Sequence, residues 1–274
     1  MLFNSRNRGV AKMEDIARKK LVQKYYSERA KDYDRQKIRT WKSARGFGVE
    51  VIDEVTSAIA GLEDRAVLEV GVGSGRIGFP LLEKVKPWFV GLDLSREMLE
   101  LARVKMSPCK QKFELILGDA EHLPFAKKAF DAVFCVSTMH YLADSERTLS
   151  EFSRVLKQKG VLVYGDLTLH EFDNRGFLNT LERTISNAHA KYSKPSEIDR
   201  LLEKHGFLVS KTKTISYRKS YPALIEDKGE YFAVKLEALH EIIQGASADE
   251  RKLYALGGDE LTLFYTLVVA SKEK

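Results

Sequence analysis

The sequence predicts a doubly wound α/β fold, and three observations lead there. From Ala66 onward, short apolar runs rich in Val, Leu and Phe alternate with stretches of helical periodicity. The runs are apolar throughout, as strands covered on both faces require. A glycine-rich turn, Gly71–Gly75, lies directly between the first run and the helix after it. Right-handed crossovers then place helices on both sides of a parallel sheet. The expected sheet is seven-stranded and mostly parallel, with N-terminal helices before it and a helical insertion before its last strand.

The elements follow in order. Residues 12–34 carry Ile16, Leu21, Tyr25 and Tyr33 at uneven spacing, which predicts a helix broken near Ser27. Residues 46–62 form a second helix, with Phe47, Val51, Val55 and Ile59 at four-residue steps and Gly61 as its stop. Strands are expected at Ala66–Val70, Phe89–Leu92, Phe113–Leu117, Phe130–Val136 and Gly160–Asp166. Helices are expected at Ile77–Val85, Ser95–Val104 and Leu149–Leu156. Pro80 predicts a bend early in the first of these. Residues 167–206 read as mostly helical, most clearly Pro195–His205. Phe207–Tyr217 and Leu261–Ala270 complete the strands. Between them, 222–260 holds a helix, Tyr231–Ile243, with Phe232, Leu236, Leu239 and Ile243 on one face. The chain divides into an N-terminal helical segment, 1–62, expected to cover the site, and a core, 63–274. The core carries acceptor-side helical segments at 167–206 and 222–260.

Composition narrows the function classes. The chain has 274 residues, 44% hydrophobic and 31% charged, with 6 prolines. That excludes disordered and fibrous proteins. Two cysteines, Cys109 and Cys135, exclude a disulfide scaffold and a four-thiolate zinc site, and no metal is expected. No apolar run reaches the roughly 18 residues of a membrane span. The start, MLFNSRNRGV, lacks an apolar core followed by small residues. A soluble, cytoplasmic protein is expected. Net charge is +6, yet residues 1–45 hold 14 Lys or Arg against 5 Asp or Glu, so the rest is net acidic. The basic arm is either a nucleic-acid or anionic-membrane contact or a solvated helix face.

Three motifs carry chemistry. Glu69-Val70-Gly71-Val72-Gly73-Ser74-Gly75 follows a strand and opens a helix. Its glycines permit a tight turn and close approach of a ligand to the backbone. The dinucleotide pattern G-x-G-x-x-G fails, because residue 76 is Arg. Asp93 ends the second strand, where a carboxylate meets the ribose of a nucleoside. The alternative for Asp93 is a charge at a helix N-terminus. Asp119 and Ala120 follow the third strand and could read a base edge, or form an ordinary polar turn ended by Pro124.

In order along the chain, EVGVGSGR, GLDLSREMLELAR, GDAEHLPFAKKAFDAVFCV and LSEFSRVLKQKGVLVYGD resemble class I S-adenosylmethionine-dependent methyltransferases with a Rossmann-like fold. Within them the likeness is to the type 11 group, which includes quinone-biosynthesis methyltransferases. KYYSERAKDYD and YSKPSEIDRLLEKHGF resemble that group's entry segment and the helix before its sixth strand, so the resemblance spans roughly 22–217. It implies that Glu69, Gly71, Gly73 and Gly75 hold the methionine part of S-adenosyl-L-methionine. It implies that Asp93 holds the ribose, that Leu94 and Met98 pack on adenine, and that Asp119 and Ala120 read the adenine edge. Val136 would face the methionyl amine through its carbonyl, with Tyr25 and Tyr33 over the site. Val72 departs from the pattern, which often has a smaller or polar residue there.

The expected reaction is in-line methyl transfer to a small-molecule acceptor, for which positioning and water exclusion suffice unless the acceptor must lose a proton. His140, after the fourth strand, is the candidate base; its alternative is a residue that shapes the pocket. Other readings are an RNA (tRNA) methyltransferase gripping phosphates with the basic arm, and a cofactor-binding protein without chemistry. The acceptor and the oligomeric state are left open, a homodimer among the alternatives.

Overall fold

The sheet is built around β1 (Ala66–Val70), whose five residues are all buried. The computed structural model describes residues 15–34, 47–226 and 236–273. In it, β1 pairs in parallel with β2 (Trp88–Asp93) and with β4 (Phe130–Val136). β3 (Phe113–Leu117) extends the sheet beyond β2, and β5 (Leu156–Thr168) beyond β4, both in parallel. β7 (Glu260–Lys272) lies antiparallel between β5 and β6 (Phe207–Ser220). The resulting order is β3-β2-β1-β4-β5-β7-β6. Strand order reverses between β1 and β4. Ligands of such sheets bind at that reversal, beyond the carboxyl ends of the strands.

Two helical layers close the faces. The helices are α1 (15–34), α2 (Phe47–Ala58), α3 (Gly78–Lys84), α4 (Arg96–Met106), α5 (Ser145–Val155), α6 (Phe177–Ile185), α7 (Pro195–Lys204), α8 (Tyr221–Glu226), α9 (Leu236–Gln244) and α10 (Ala248–Leu253). On one face Val51, Val55, Leu81 and Met106 from α2, α3 and α4 pack on Phe89 and Phe134. On the other, Leu149 and Phe152 of α5 and Ile198 and Leu202 of α7 pack on Leu68, Val133 and Leu162. Each such side chain, fully buried, contributes ~1.5–3 kcal/mol. A third apolar cluster joins α6 to α8, α9 and α10 through Leu181, Tyr221, Leu239 and Tyr254.

Several expectations change. The first helix is continuous from 15 to 34, with no break at Ser27; residues 12–14 lie outside the described part. Its apolar spacing is uneven because the covering face is partly polar. Ser27 there hydrogen-bonds Glu97 and meets Ser95 Oγ at 3.3 Å. Pro80 sits in the first turn of α3, and Leu81 N–H still bonds Ile77 O at 3.2 Å across it. α5 begins four residues before Leu149, because Asp144 caps it by accepting the Arg147 N–H at 2.9 Å. The stretch 167–206 holds only α6 and α7, joined by irregular chain. The insertion carries α8 and α10 besides the expected helix. Of that helix's apolar face, Leu239 and Ile243 are buried, Leu236 is 40% exposed, and Phe232 lies outside the described residues.

Candidate active site

The carboxyl ends of β1, β2, β3 and β4 meet at one cleft, and α1 lies across it. After β1 the chain turns back on itself, and the N–H groups of Gly71 and Val72 both donate to Leu92 O, at 2.8 and 3.0 Å. Gly71, Gly73 and Gly75 all have positive φ, at 76°, 53° and 77°. A side chain at Gly71 would also strike Thr138, since a Cβ there would lie 2.1 Å from its Oγ1. The loop therefore requires glycine at this position for both torsion and space.

Asp93 fixes the loop to the next helix. Its Oδ2 accepts the Gly73 N–H at 2.7 Å and its Oδ1 accepts the Ser95 N–H at 2.9 Å. Ser95 in turn caps α4 by accepting the Met98 N–H at 3.3 Å. Burial raises the Asp93 carboxyl above the ordinary range, although the surrounding amides pull the other way. Each oxygen keeps a lone pair for a ligand hydroxyl. Glu69 is 2% exposed, and its Oε2 has no hydrogen-bond partner among the described residues. Burial, with Asp93 nearby, pushes its carboxyl well above the usual carboxylate range. A buried acid left in this state suits a cationic ligand group.

At the base-reading end, Asp119 Oδ1 accepts the Glu121 N–H at 2.9 Å. Asp119 Oδ2 lies 2.9 Å from Lys19 Nζ and 3.0 Å from His122 Nδ1. Burial opposes its ionisation, yet the Glu121 amide, Lys19 and His122 together hold its carboxyl below the ordinary range. Lys19 also pairs with Glu121 at 2.5 Å and Asp15 at 3.1 Å. Burial works against the Lys19 charge, and these carboxylates outweigh it.

Three contacts thus hold α1 over the cleft. Lys19 engages Asp119 and Glu121 at one end, and Ser27 engages Ser95 and Glu97 in the middle. Asp34 meets Lys105 at 2.6 Å and Ser74 at the other end. Lys19, Val22, Gln23, Tyr26 and Tyr33 of α1 line the cleft. This is the i, i+3, i+4, i+7 face of a helix.

Of the residues expected from sequence, Tyr33, Glu69, Gly71, Gly73, Asp93, Leu94, Asp119, Ala120 and Val136 line this cleft. Four do not. Tyr25 is 1% exposed and lies behind it, its hydroxyl bonded to Arg29, and Tyr26 takes the lining position instead. Met98 is fully buried under Ala30 and Tyr33. Gly75 serves the turn and faces Met106 and Ala102. His140 is 6% exposed, its Nδ1 2.6 Å from Asp166 Oδ1 and its ring 3.9 Å from that of Tyr141. Asp166 Oδ2 also accepts the His140 N–H at 3.0 Å, and Asp166 Oδ1 the Leu167 N–H at 2.8 Å. This clamp fixes the turn Met139–Tyr141, so that Tyr141 lines the cleft while His140 packs beneath. The lining residues missed in the sequence include Lys19, Gln23, Tyr26, Ser137 and Tyr141. The helical periodicity at 19, 22, 23 and 26 was a signal for three of them.

Among the described residues, no helix is long and apolar enough to cross a membrane.

Comparison with known proteins agrees with this architecture. A family model described as a methyltransferase domain matches residues 68–164, from β1 into β5. Demethylmenaquinone methyltransferase of Thermotoga maritima is 36% identical over 115 residues, covering 41% of this chain and 48% of that protein. The malonyl-[acyl-carrier protein] O-methyltransferase of Legionella pneumophila is 31% identical over 147 residues, covering 53% and 49% respectively. The chain spans about half the length of several curated relatives it matches. The crystal structure of Bacillus subtilis YcgJ superposes with a TM-score of 0.75 at 22% identity, over 81% of this chain and 98% of that one. The glycine loop and the acidic ends of β1 and β2 lie within the matched stretch, as do Asp119 and Ala120. The stretch of this chain that carries the glycine loop, Asp93 and Asp119, residues 68–164, is therefore similar to a methyltransferase domain.

Proposed function

We propose that the chain transfers a methyl group from S-adenosylmethionine to a small-molecule acceptor. The carrying observation is that three successive strand ends deliver Glu69, Asp93 and Asp119 to one cleft beside a positive-φ glycine loop. Their order matches a ligand with an ammonium group, a vicinal diol and a purine. Glu69 and the loop would hold the amino-acid end, Asp93 the diol, and Asp119 with the Ala120 N–H the purine edge. The faces of Tyr26, Tyr33 and Tyr141 would surround a cationic centre. When bound, the cofactor supplies an activated methyl on a sulfonium, which leaves as a neutral thioether on in-line attack. The chain's part is to align the acceptor and exclude water, and α1 performs the second by covering the cleft. His140 acts through the turn it fixes, positioning Tyr141, which is compatible with acceptors that need no base. Release of S-adenosylhomocysteine on adding an acceptor panel tests this reading. Binding without release across acids, phenols, amines and prenylated quinones would leave it a cofactor-binding protein.

Asp93→Ala is expected to weaken S-adenosylmethionine binding by ~30–1000-fold, the loss of two charge-assisted hydrogen bonds worth ~2–4 kcal/mol. Calorimetry checks this, and unchanged affinity would remove Asp93 from the site.

Glu69 gives a pH dependence. Its folded pKa lies above its unfolded one, so below the ordinary carboxylate range both states are protonated and nothing is lost. As pH rises, the unfolded chain ionises first, and ligand-free stability falls until the folded pKa is passed. Glu69→Gln is therefore expected to stabilise the ligand-free protein at pH 7 by ~1 kcal/mol, raising Tm by ~2–4 °C. The same change is expected to weaken cofactor binding. Wild-type affinity should rise with pH as Glu69 ionises. Thermal melts at pH 4 and pH 7, with and without cofactor, read both effects.

A further inference from the structure

A second cleft opens on the far side of the turn at Leu142 and Ala143, residues it shares with the cofactor cleft. Its volume is about 280 Å3. Its walls are Met139, Leu149 of α5, Ile198 and Leu202 of α7, and Tyr164 of β5, all buried. At roughly the 30 Å3 that a water molecule occupies in the liquid, it holds on the order of ten non-hydrogen atoms.

Two features distinguish it from a packing defect. Tyr164 is 7% exposed as a residue and lines the cleft, and its hydroxyl is not among the fully enclosed polar atoms left without a partner in the described residues, so it is within reach of a ligand there. A phenol hydroxyl on an otherwise apolar wall offers a hydrogen-bond donor to a ligand oxygen. Burial also keeps this phenol protonated, so it acts as a donor. The second feature is the charge of the lining. Arg18 of α1 lines the cleft and spends one guanidinium nitrogen, Nη1, on His189 O at 3.2 Å. Lys191 also lines the cleft, paired with Glu197 at 3.2 Å and 58% exposed, so Arg18 is the less compensated cation.

We propose that this cleft binds an amphipathic organic anion. The ligand's apolar body lies against α5 and α7, its carboxylate meets Arg18 and Lys191, and an oxygen at its far end accepts from Tyr164. A chain of about eight carbons with a terminal hydroxyl fills the space. The site adjoins the cofactor cleft across one turn, but the proposal does not depend on methyl transfer.

The test is calorimetry on the full chain with 8-hydroxyoctanoate, octanoate and 1,8-octanediol. The hydroxy acid is expected to bind saturably, and the other two about tenfold more weakly, each lacking one polar anchor. Arg18→Gln should weaken the hydroxy acid about tenfold and leave the diol unchanged. Tyr164→Phe removes only a hydroxyl, so it should fold normally and erase the preference for 8-hydroxyoctanoate over octanoate. Saturating S-adenosylhomocysteine should not displace the probe. Displacement, absence of saturable binding, or equal affinities across probes and variants would overturn the proposal. Failure of S-adenosylhomocysteine itself to bind would count against the methyltransferase reading alone.

Discussion

Gly71→Ala is expected to weaken S-adenosylmethionine binding by more than ~100-fold and to destabilise the protein by ~3 kcal/mol or more. Two costs combine. The φ of 76° is strained for a residue with a side chain, at ~1–2 kcal/mol. The new Cβ would sit 2.1 Å from Thr138 Oγ1 and 2.6 Å from its Cγ2, so the β4 end or the loop must move. Both belong to the cleft. The two costs separate in a double variant. Adding Thr138→Gly should remove the clash and recover much of the loss, leaving the torsional part. Urea denaturation with cofactor titration checks both. A Gly71→Ala protein within threefold of wild-type affinity would contradict the loop geometry described above.

Asp166→Ala is expected to be the most destabilising change outside the glycine loop. Asp166 is 1% exposed and accepts from three donors, the His140 N–H, His140 Nδ1 and the Leu167 N–H. Its loss leaves buried donors without acceptors, at ~1–3 kcal/mol each, and frees the turn that carries Tyr141. A loss of ~3–5 kcal/mol and a fall in Tm of ~10 °C are expected. His140→Ala should cost less stability, because the main-chain bond to Asp166 survives. If Asp166→Ala lowers stability by under 1 kcal/mol, the clamp is not what fixes the turn.

The sheet was legible because its strands are predominantly apolar and bounded by Gly, Pro or charged turns. Ala66–Val70, Phe113–Leu117 and Phe130–Val136 appear at their expected bounds. Asp93 and Asp119 were legible because they stand at or just after the carboxyl ends of parallel strands, where ligands of such sheets bind, while Glu69 was implied by the family resemblance. The cover of the cleft was not. The family resemblance favoured Tyr25, but α1 turns Tyr26 toward the cleft, because Lys19, Gln23 and Ser27 on the same side find partners just after β3, just after β2 and in α4. Those partners, Asp119, Leu94 O and Glu97, lie 70 to 100 residues away in the chain, and no local pattern encodes them. His140 shows the same limit. Its place after β4 suggested a base, while its contact with Asp166 of β5 turns the ring away from the cleft lining. The short helices α8 and α10 were missed because six residues give too few periods to detect.

The proposed activity requires that the cleft at the ends of β1 to β4 bind S-adenosylmethionine. Isothermal calorimetry of the full chain against S-adenosylmethionine, S-adenosylhomocysteine and NAD tests it most directly. Saturable one-site binding of the first two, weakened in Asp93→Ala, and no heat with NAD are expected. Binding of NAD with no response to either S-adenosyl compound would contradict it.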